Sequence, residues 1–244
     1  MPNYYSLNGK FRRPCVFFIG NSFTFFHDLP SQVASFSLAD DRAVRVDAVL
    51  QGGYHLDQYL DMNDPYGEDV SIRLKHLRYE YIVAQEQSFC PISDPDRFDA
   101  AIGRLDAIAR ERGAELALFE TWGYHDLHRQ TPLFGGSSIA MEEKLRDKTS
   151  SVAEKYGRKW LPVGYAFSEC QKKNPGIYLF DPDRKHPGVC GTYLGAAVIY
   201  GGLFGRDPEK ISFDGGISPS VAEKLRSVAK ETLVLTGLLP GEEG

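Results

Sequence analysis

The sequence predicts an α/β protein, a three-layer α/β/α sandwich around a mostly parallel sheet of about five strands. Three observations predict it. Short apolar runs recur along the chain, too brief for core helices, and most end in small or polar residues. Between them lie stretches whose apolar residues keep helical spacing. Strands that alternate with helices in this way pair in parallel and are covered on both faces. With 244 residues, 42% hydrophobic and 25% charged, the chain is long and apolar enough for a sizeable core. No linker interrupts it, so residues 1–244 read as a single domain.

The first strand is Cys15-Val16-Phe17-Phe18-Ile19, which breaks at Gly20-Asn21-Ser22. Asp28 before Leu29-Pro30 is a helix N-cap with proline in the first turn, and Leu29, Val33 and Phe36 then mark one apolar face. Val44–Leu50 is the second strand and ends at Gln51-Gly52-Gly53. A short helix is expected over Leu56–Leu60, a turn over Asn63–Gly67 and a helix over Ile72–Leu77. Tyr81–Ala84 is the third strand, running into Gln85-Glu86-Gln87-Ser88; Phe98, Ile102, Leu105 and Ala109 form a helical face stopped by Gly113. Leu116–Phe119 is the fourth strand, leading to Thr121-Trp122-Gly123-Tyr124-His125. A long helix follows over Ser138–Tyr156. Trp160–Val163, weakened by its proline, is the fifth strand. The remaining helices are Tyr165–Lys173, one carrying Tyr193, Ala197, Tyr200 and Phe204, and one carrying Val221, Leu225 and Val228.

Bulk properties exclude several roles. A net charge of −5 without any basic block argues against nucleic-acid binding, which needs clustered Lys and Arg. The four cysteines, Cys15, Cys90, Cys170 and Cys190, form no CxxC pair, and no HExxH spacing occurs, so neither a metal nor a disulfide framework is expected. No run approaches the ~20 apolar residues of a membrane span, and residues 1–13 lack a signal-peptide core. The default expectation is a soluble cytoplasmic protein with no membrane partner and no cofactor.

In such a fold ligands bind at the carboxyl edge of the strands. Gly20-Asn21-Ser22, Gly52-Gly53, Gln85–Ser88 and Thr121-Trp122-Gly123 should meet there, and Asp183-Arg184-Lys185-His186 can join them. Together they hold a hydroxyl, free backbone amides, side-chain amides, a carboxylate and an imidazole, the parts of an acyl-transfer site. Each alone has a plainer reading: a turn serine, a glycine turn, glutamines that satisfy strand-end backbone, a local Asp–His capping pair. Their joint order along the chain favours the site.

That order resembles the SGNH hydrolases, or GDSL esterases. Gly20-Asn21-Ser22 is similar to the family's nucleophile block, with Asn for the commoner Asp; Gly53 is similar to its glycine block. Asp183–Pro187 resembles the final block, in which Asp and His lie three residues apart. Gln85–Ser88 departs from the family's Gly-x-Asn-Asp. The resemblance spans about Cys15 to Phe204. It implies Ser22 as nucleophile, His186 as base and Asp183 as its orienting carboxylate, with Asp181 the fallback. It implies an oxyanion hole from the Ser22 and Gly53 amides plus a side chain, Gln87 first and Ser88 second. The α/β-hydrolase elbow, Gly-x-Ser-x-Gly, fits less well because Thr24 takes its last position.

Asn21 is expected to be structural. His27 is a conceivable base five residues after Ser22, His55 follows the glycine turn, and His76 reads as a surface residue. Trp122, Tyr54 and His125 are the candidate substrate contacts, with Tyr124, His128, Phe23, Phe25, Phe26 and Phe89 as further neighbours. The expected activity is a serine esterase acting on a carboxylic ester, with a small acyl group on a saccharide as the expected substrate. The alternatives are a lipase or thioesterase for longer chains, a flavodoxin-like phosphate- or flavin-binding protein, and an inert relative that only binds.

Overall fold

A computed structural model of the chain describes residues 13–241. Its sheet has five strands: β1 (Cys15–Gly20), β2 (Arg45–Leu50), β3 (Tyr81–Ala84), β4 (Glu115–Phe119) and β5 (Lys159–Leu161). All pairings are parallel and the order is β2-β1-β3-β4-β5, the flavodoxin-like arrangement. The expected three-layer fold is therefore present. β1 lies between β2 and β3, so the chain reverses its direction of winding beside β1, where α/β proteins open a crevice. The register aligns Ile19 with Val49 and with Ala84, and Ala84 with Leu118, so the strand ends share one edge.

Alternation along β1 explains why both faces are covered. Val16 and Phe18 enter one core, Cys15, Phe17 and Ile19 the other, and all five are buried. The first core is closed by α2 (Leu29–Ala39), α7 (Val163–Lys173), α8 (Val189–Phe204) and α9 (Pro219–Leu235), the second by α3 (Pro65–His76) and α5 (Pro95–Arg112). α6 (Ser138–Tyr156) packs at the β4–β5 end and contributes to both cores. α8 is apolar around its whole circumference, and every residue from Gly191 to Leu203 is buried. No helix among the described residues is long and apolar enough to cross a membrane.

The departures from expectation are local, and most have a cap or a proline behind them. Two four-residue helices, α1 (Ser22–Phe25) and α4 (Cys90–Ser93), stand where only loops were expected. The first exists because the Asn21 side chain caps it. The Leu56–Leu60 helix is only a 3-10 turn over Gln58–Leu60. The supposed turn at Asn63–Gly67 is instead the start of α3: Asp64 accepts hydrogen bonds from the amides of Tyr66 and Gly67 (2.8 and 3.3 Å), with Pro65 at the first helical position. The last strand stops at Leu161, since Pro162 leads directly into α7.

One buried pair beneath the sheet edge carries a stability prediction. Glu120, just past β4, and Glu142 on α6 are both buried. Trp160 Nε1 donates to Glu120 (2.9 Å) and Ser168 Oγ to Glu142 (2.9 Å), while Arg146 lies 3.7 Å from Glu142. Burial, and then the charge of Glu142, push the Glu120 pKa well above the ordinary glutamate value. With its pKa raised, Glu120 holds a proton in the folded state that the unfolded chain releases. Stability should fall as pH rises through the window that opens at the unfolded glutamate pKa, by up to about 1.4 kcal/mol per pH unit. Glu120→Gln supplies a permanent donor and still accepts from Trp160. Thermal denaturation from pH 5 to 8 should show the variant gaining on the wild type as pH rises; parallel curves would refute a protonated Glu120.

Candidate active site

Gly20 ends β1 with no room for a side chain. A Cβ there would lie 2.7 Å from Gln85 Oε1 and 2.8 Å from Thr24 Oγ1. The same Gln85 oxygen accepts from the Asn21 amide (2.9 Å) and from Thr24 Oγ1 (2.9 Å), so the end of β3 braces the turn after β1. Asn21 Oδ1 accepts from the Phe23 amide (3.2 Å), and its Nδ2 donates to the Tyr54 carbonyl (3.0 Å). Asn21 is thus structural, as expected: it caps α1 and ties it to the loop after β2. Ser22 follows at the first helical position, half-buried, where its amide has no intrahelical acceptor.

The imidazole comes from a loop 164 residues away. Its turn is closed by Arg184 N–H donating to the Asp181 carbonyl (2.8 Å) and by Asp181 N–H donating to the His186 carbonyl (2.9 Å), with Arg184 in the left-handed region (φ 65°). The loop after β4 holds it from outside: Trp122 Nε1 donates to the Lys185 carbonyl (3.0 Å) and His125 N–H to the Arg184 carbonyl (3.0 Å).

The result is one hydrogen-bonded line. Ser22 Oγ lies 2.8 Å from His186 Nε2, and His186 Nδ1 lies 2.5 Å from Asp183 Oδ2. Asp183 Oδ1 accepts the amides of Lys185 (3.0 Å) and His186 (2.9 Å). Burial works to raise the Asp183 pKa, but these hydrogen bonds, led by that from the imidazole, outweigh it and hold the carboxyl below its ordinary value. Phe26 stacks on the His186 ring at 4.1 Å and 7°, and Phe23 lies beside it at 5.4 Å. With Nδ1 donating to an ionised Asp183, Nε2 is left to accept from Ser22 Oγ, which therefore donates.

The other anticipated residues are placed as follows. Gly53 lies exposed on the loop after β2 in the left-handed region (φ 76°), a conformation glycine adopts freely. Gln87 Oε1 accepts from the Phe89 amide (3.2 Å), so its NH₂ is the end left for a ligand. Ser88, the second choice, is buried and its Oγ is committed to Tyr124 OH (2.6 Å). Asp181, the fallback carboxylate, is paired with His27 Nε2 (3.0 Å) instead of His186. His27 therefore does not serve Ser22. Its φ of 50°, followed by 53° at Asp28, makes the sharp break between α1 and α2.

Two of the three substrate-contact assignments need correcting. Trp122 is 1% exposed, stacked on Phe167 at 4.3 Å and on Phe23 at 4.8 Å, so it cannot face a ligand; its role is to hold the Asp183–His186 loop. The Tyr54 ring packs on Tyr59 and Tyr66 and its hydroxyl donates to Asp64 (3.1 Å), so its backbone carbonyl is what reaches the turn that carries Ser22. His125 packs edge-on against Tyr178 and Phe180 and lines a cavity of about 200 Å³ with Gln171. Tyr124 is buried as well, while Phe25, 40% exposed beside Gly52, remains at the rim. Sequence reasoning passed over Lys185, whose only signal was its place inside the Asp-x-x-His block.

Among the described residues one grouping has metal-ligand composition: His55, Glu86 and Cys90, with ligand atoms within 4.8 Å of one another. Its members have protein partners. Glu86 accepts the amides of Leu56 (3.3 Å) and Gln87 (2.6 Å), with His55 Nδ1 3.1 Å away. Burial, then the Glu86 charge, push the Cys90 thiol up to about 12, against forming a thiolate ligand.

Solved structures share this architecture. The chain superimposes on a candidate SGNH hydrolase from Slackia heliotrinireducens with a TM-score of 0.69 and 22% identity, covering 78% of this chain and 98% of that one. A DUF4886 family protein from Bacteroides uniformis gives 0.76 at 18% identity, over 92% and 96% of the two chains. A catalytic mutant of Axe2, an acetylxylan esterase from Geobacillus stearothermophilus, gives 0.56 at 17% identity, over 76% and 92%. No family model matches the chain, and no curated protein does. The fold is that of the SGNH hydrolases.

Proposed function

We propose that this protein, which has the SGNH-hydrolase fold, is a serine esterase that cleaves a carboxylic ester through an acyl-serine intermediate, and that the ester is a small acyl group, acetyl, on a sugar. The observation that carries the reading is the line Ser22 Oγ–His186 Nε2 and His186 Nδ1–Asp183 Oδ2. Ser22 Oγ attacks the ester carbonyl carbon while its proton passes to His186 Nε2. Asp183, ionised, steadies the imidazolium. The amides of Ser22 and Gly53 and the NH₂ of Gln87 receive the oxyanion of the tetrahedral intermediate. Its collapse breaks the carbon–alcohol oxygen bond, and the leaving alcohol takes the proton from His186. A water molecule, deprotonated by the same imidazole, then attacks the acyl-serine and frees the acid and Ser22.

Acetyl on a sugar is supported by the likeness to a fold relative described as an acetylxylan esterase and by Phe25 at the rim, an aromatic face beside the glycine loop on which a sugar ring can stack. A phosphate- or flavin-binding role gives the Ser22–His186–Asp183 line no purpose. The test is a chain-length series of p-nitrophenyl esters. Acetate should be hydrolysed with kcat/KM at least about tenfold above octanoate, since each methylene a pocket cannot take weakens the transition state. Activity confined to long chains would replace this reading with a lipase or thioesterase.

A further inference from the structure

Lys185 sits inside the catalytic block, yet the Ser22–His186–Asp183 line makes no use of its side chain. Its backbone is fixed on both sides, N–H on Asp183 Oδ1 and carbonyl on Trp122 Nε1, both at 3.0 Å. Its ammonium lies 5.3 Å from the ring centroid of Tyr124 and 5.9 Å from that of Phe23, the residue after the nucleophile. The same Phe23 ring is 5.4 Å from the His186 ring, so the ammonium and the imidazole flank one aromatic side chain.

Among the described residues no carboxylate is within ion-pairing distance of this ammonium. The acid that most influences it, Asp183, has its oxygens engaged by His186 and two amides. Burial, the leading cause, pulls the Lys185 pKa down, and Arg129 adds to the effect while Asp183 opposes it. His128, edge-on to Tyr124 at 4.7 Å, is lowered by burial and then by Lys185 and Arg129. A chain with net charge −5 thus gathers basic groups at one place, beside its nucleophile. A half-buried lysine is costly without a counter-ion, and ring faces repay only part of the cost.

We propose that Lys185 binds a carboxylate on the substrate, so that the preferred ester is an acylated acidic sugar of the uronic-acid type. This rests on the sugar-ester reading above: if the acyl group is acetyl, it has no charge to offer, and the carboxylate belongs to the alcohol half. The ring faces of Tyr124 and Phe23 hold the ammonium in place before the ligand arrives. A charge-assisted contact formed there is shielded from water better than a surface pair.

The test compares an O-acetylated methyl glucuronoside with its uronamide, a neutral analogue of the same shape, beside p-nitrophenyl acetate. Wild-type kcat/KM for the acid should exceed that for the amide by about tenfold or more, mainly through KM, and the ratio should shrink with added salt. Lys185→Met, which keeps the apolar stem on the two rings, should bring the ratio near one, and Lys185→Arg should keep it above about threefold. If Lys185→Met does not fold, the wild-type ratio and its salt dependence decide. Equal rates on acid and amide would overturn the role of Lys185 and leave the sugar esterase standing. Hydrolysis of p-nitrophenyl acetate but of neither sugar would overturn the acidic-sugar proposal and leave a general esterase. An enzyme inert on all three would overturn both.

Discussion

Ser22→Ala should abolish ester hydrolysis, lowering kcat on p-nitrophenyl acetate by at least about a thousandfold, with the thermal midpoint close to that of the wild type. The size follows from the mechanism: removing the nucleophile of a serine–histidine pair leaves only what the oxyanion donors and binding contribute. The fold should survive because Ser22 is half-buried and the cap of α1 belongs to Asn21, whose bonds to Phe23 and Tyr54 are untouched. His186→Ala should cost a similar factor, and the double variant little more than either alone, because the two side chains work as a unit. A fluorophosphonate should add its phosphonyl group to Ser22 in the wild type and to nothing in Ser22→Ala, as read by peptide mass mapping. Activity retained in Ser22→Ala, or an adduct on another serine, would refute the assignment.

The largest stability effect should come from Trp122→Ala, at about 3–5 kcal/mol in urea denaturation. The indole is fully buried and stacked on Phe167 at 4.3 Å and on Phe23 at 4.8 Å, so its loss leaves a cavity among close-packed rings. Trp122→Phe separates packing from anchoring. It keeps an aromatic plane in the stack but loses the donor to the Lys185 carbonyl, so its stability cost should be only about 1–2 kcal/mol. Its kcat should nevertheless fall clearly, since the loop carrying Asp183 and His186 loses one of its outer ties. A Trp122→Phe enzyme with unchanged kcat would show that the loop holds its geometry without the indole.

The elements that could be read from sequence were those whose signal is short-range. β1, β3 and β4 announced themselves as apolar runs, and Asp28 and Gly113 as helix caps. What stayed hidden depended on the helix that follows an ambiguous segment or on partners far along the chain. Asn63–Gly67 has turn composition, but Asp64-Pro65 is equally a helix start, and only α3 behind it decides. Trp122 and Tyr124 lie at a strand end, where exposed aromatics often meet ligands; burial beneath a loop some 60 residues later could not be seen. In the candidate site, the spacing of Asp183 and His186 was legible because it is local. The His27–Asp181 pairing spans 154 residues and was not.

The 164-residue separation of Ser22 and His186 also bears on how the protein folds. Their hydrogen bond is among the most non-local contacts in the molecule, and Thr192 Oγ1, near the start of α8, reinforces it by donating to the Phe26 carbonyl (3.3 Å). Closing so long a loop is entropically slow and is rewarded only once α8 has docked on α2 and the sheet. The two halves of the site are therefore synthesised far apart in time and are joined late. A chain released from the ribosome before residue 186 would carry Ser22 without the imidazole that hydrogen-bonds it.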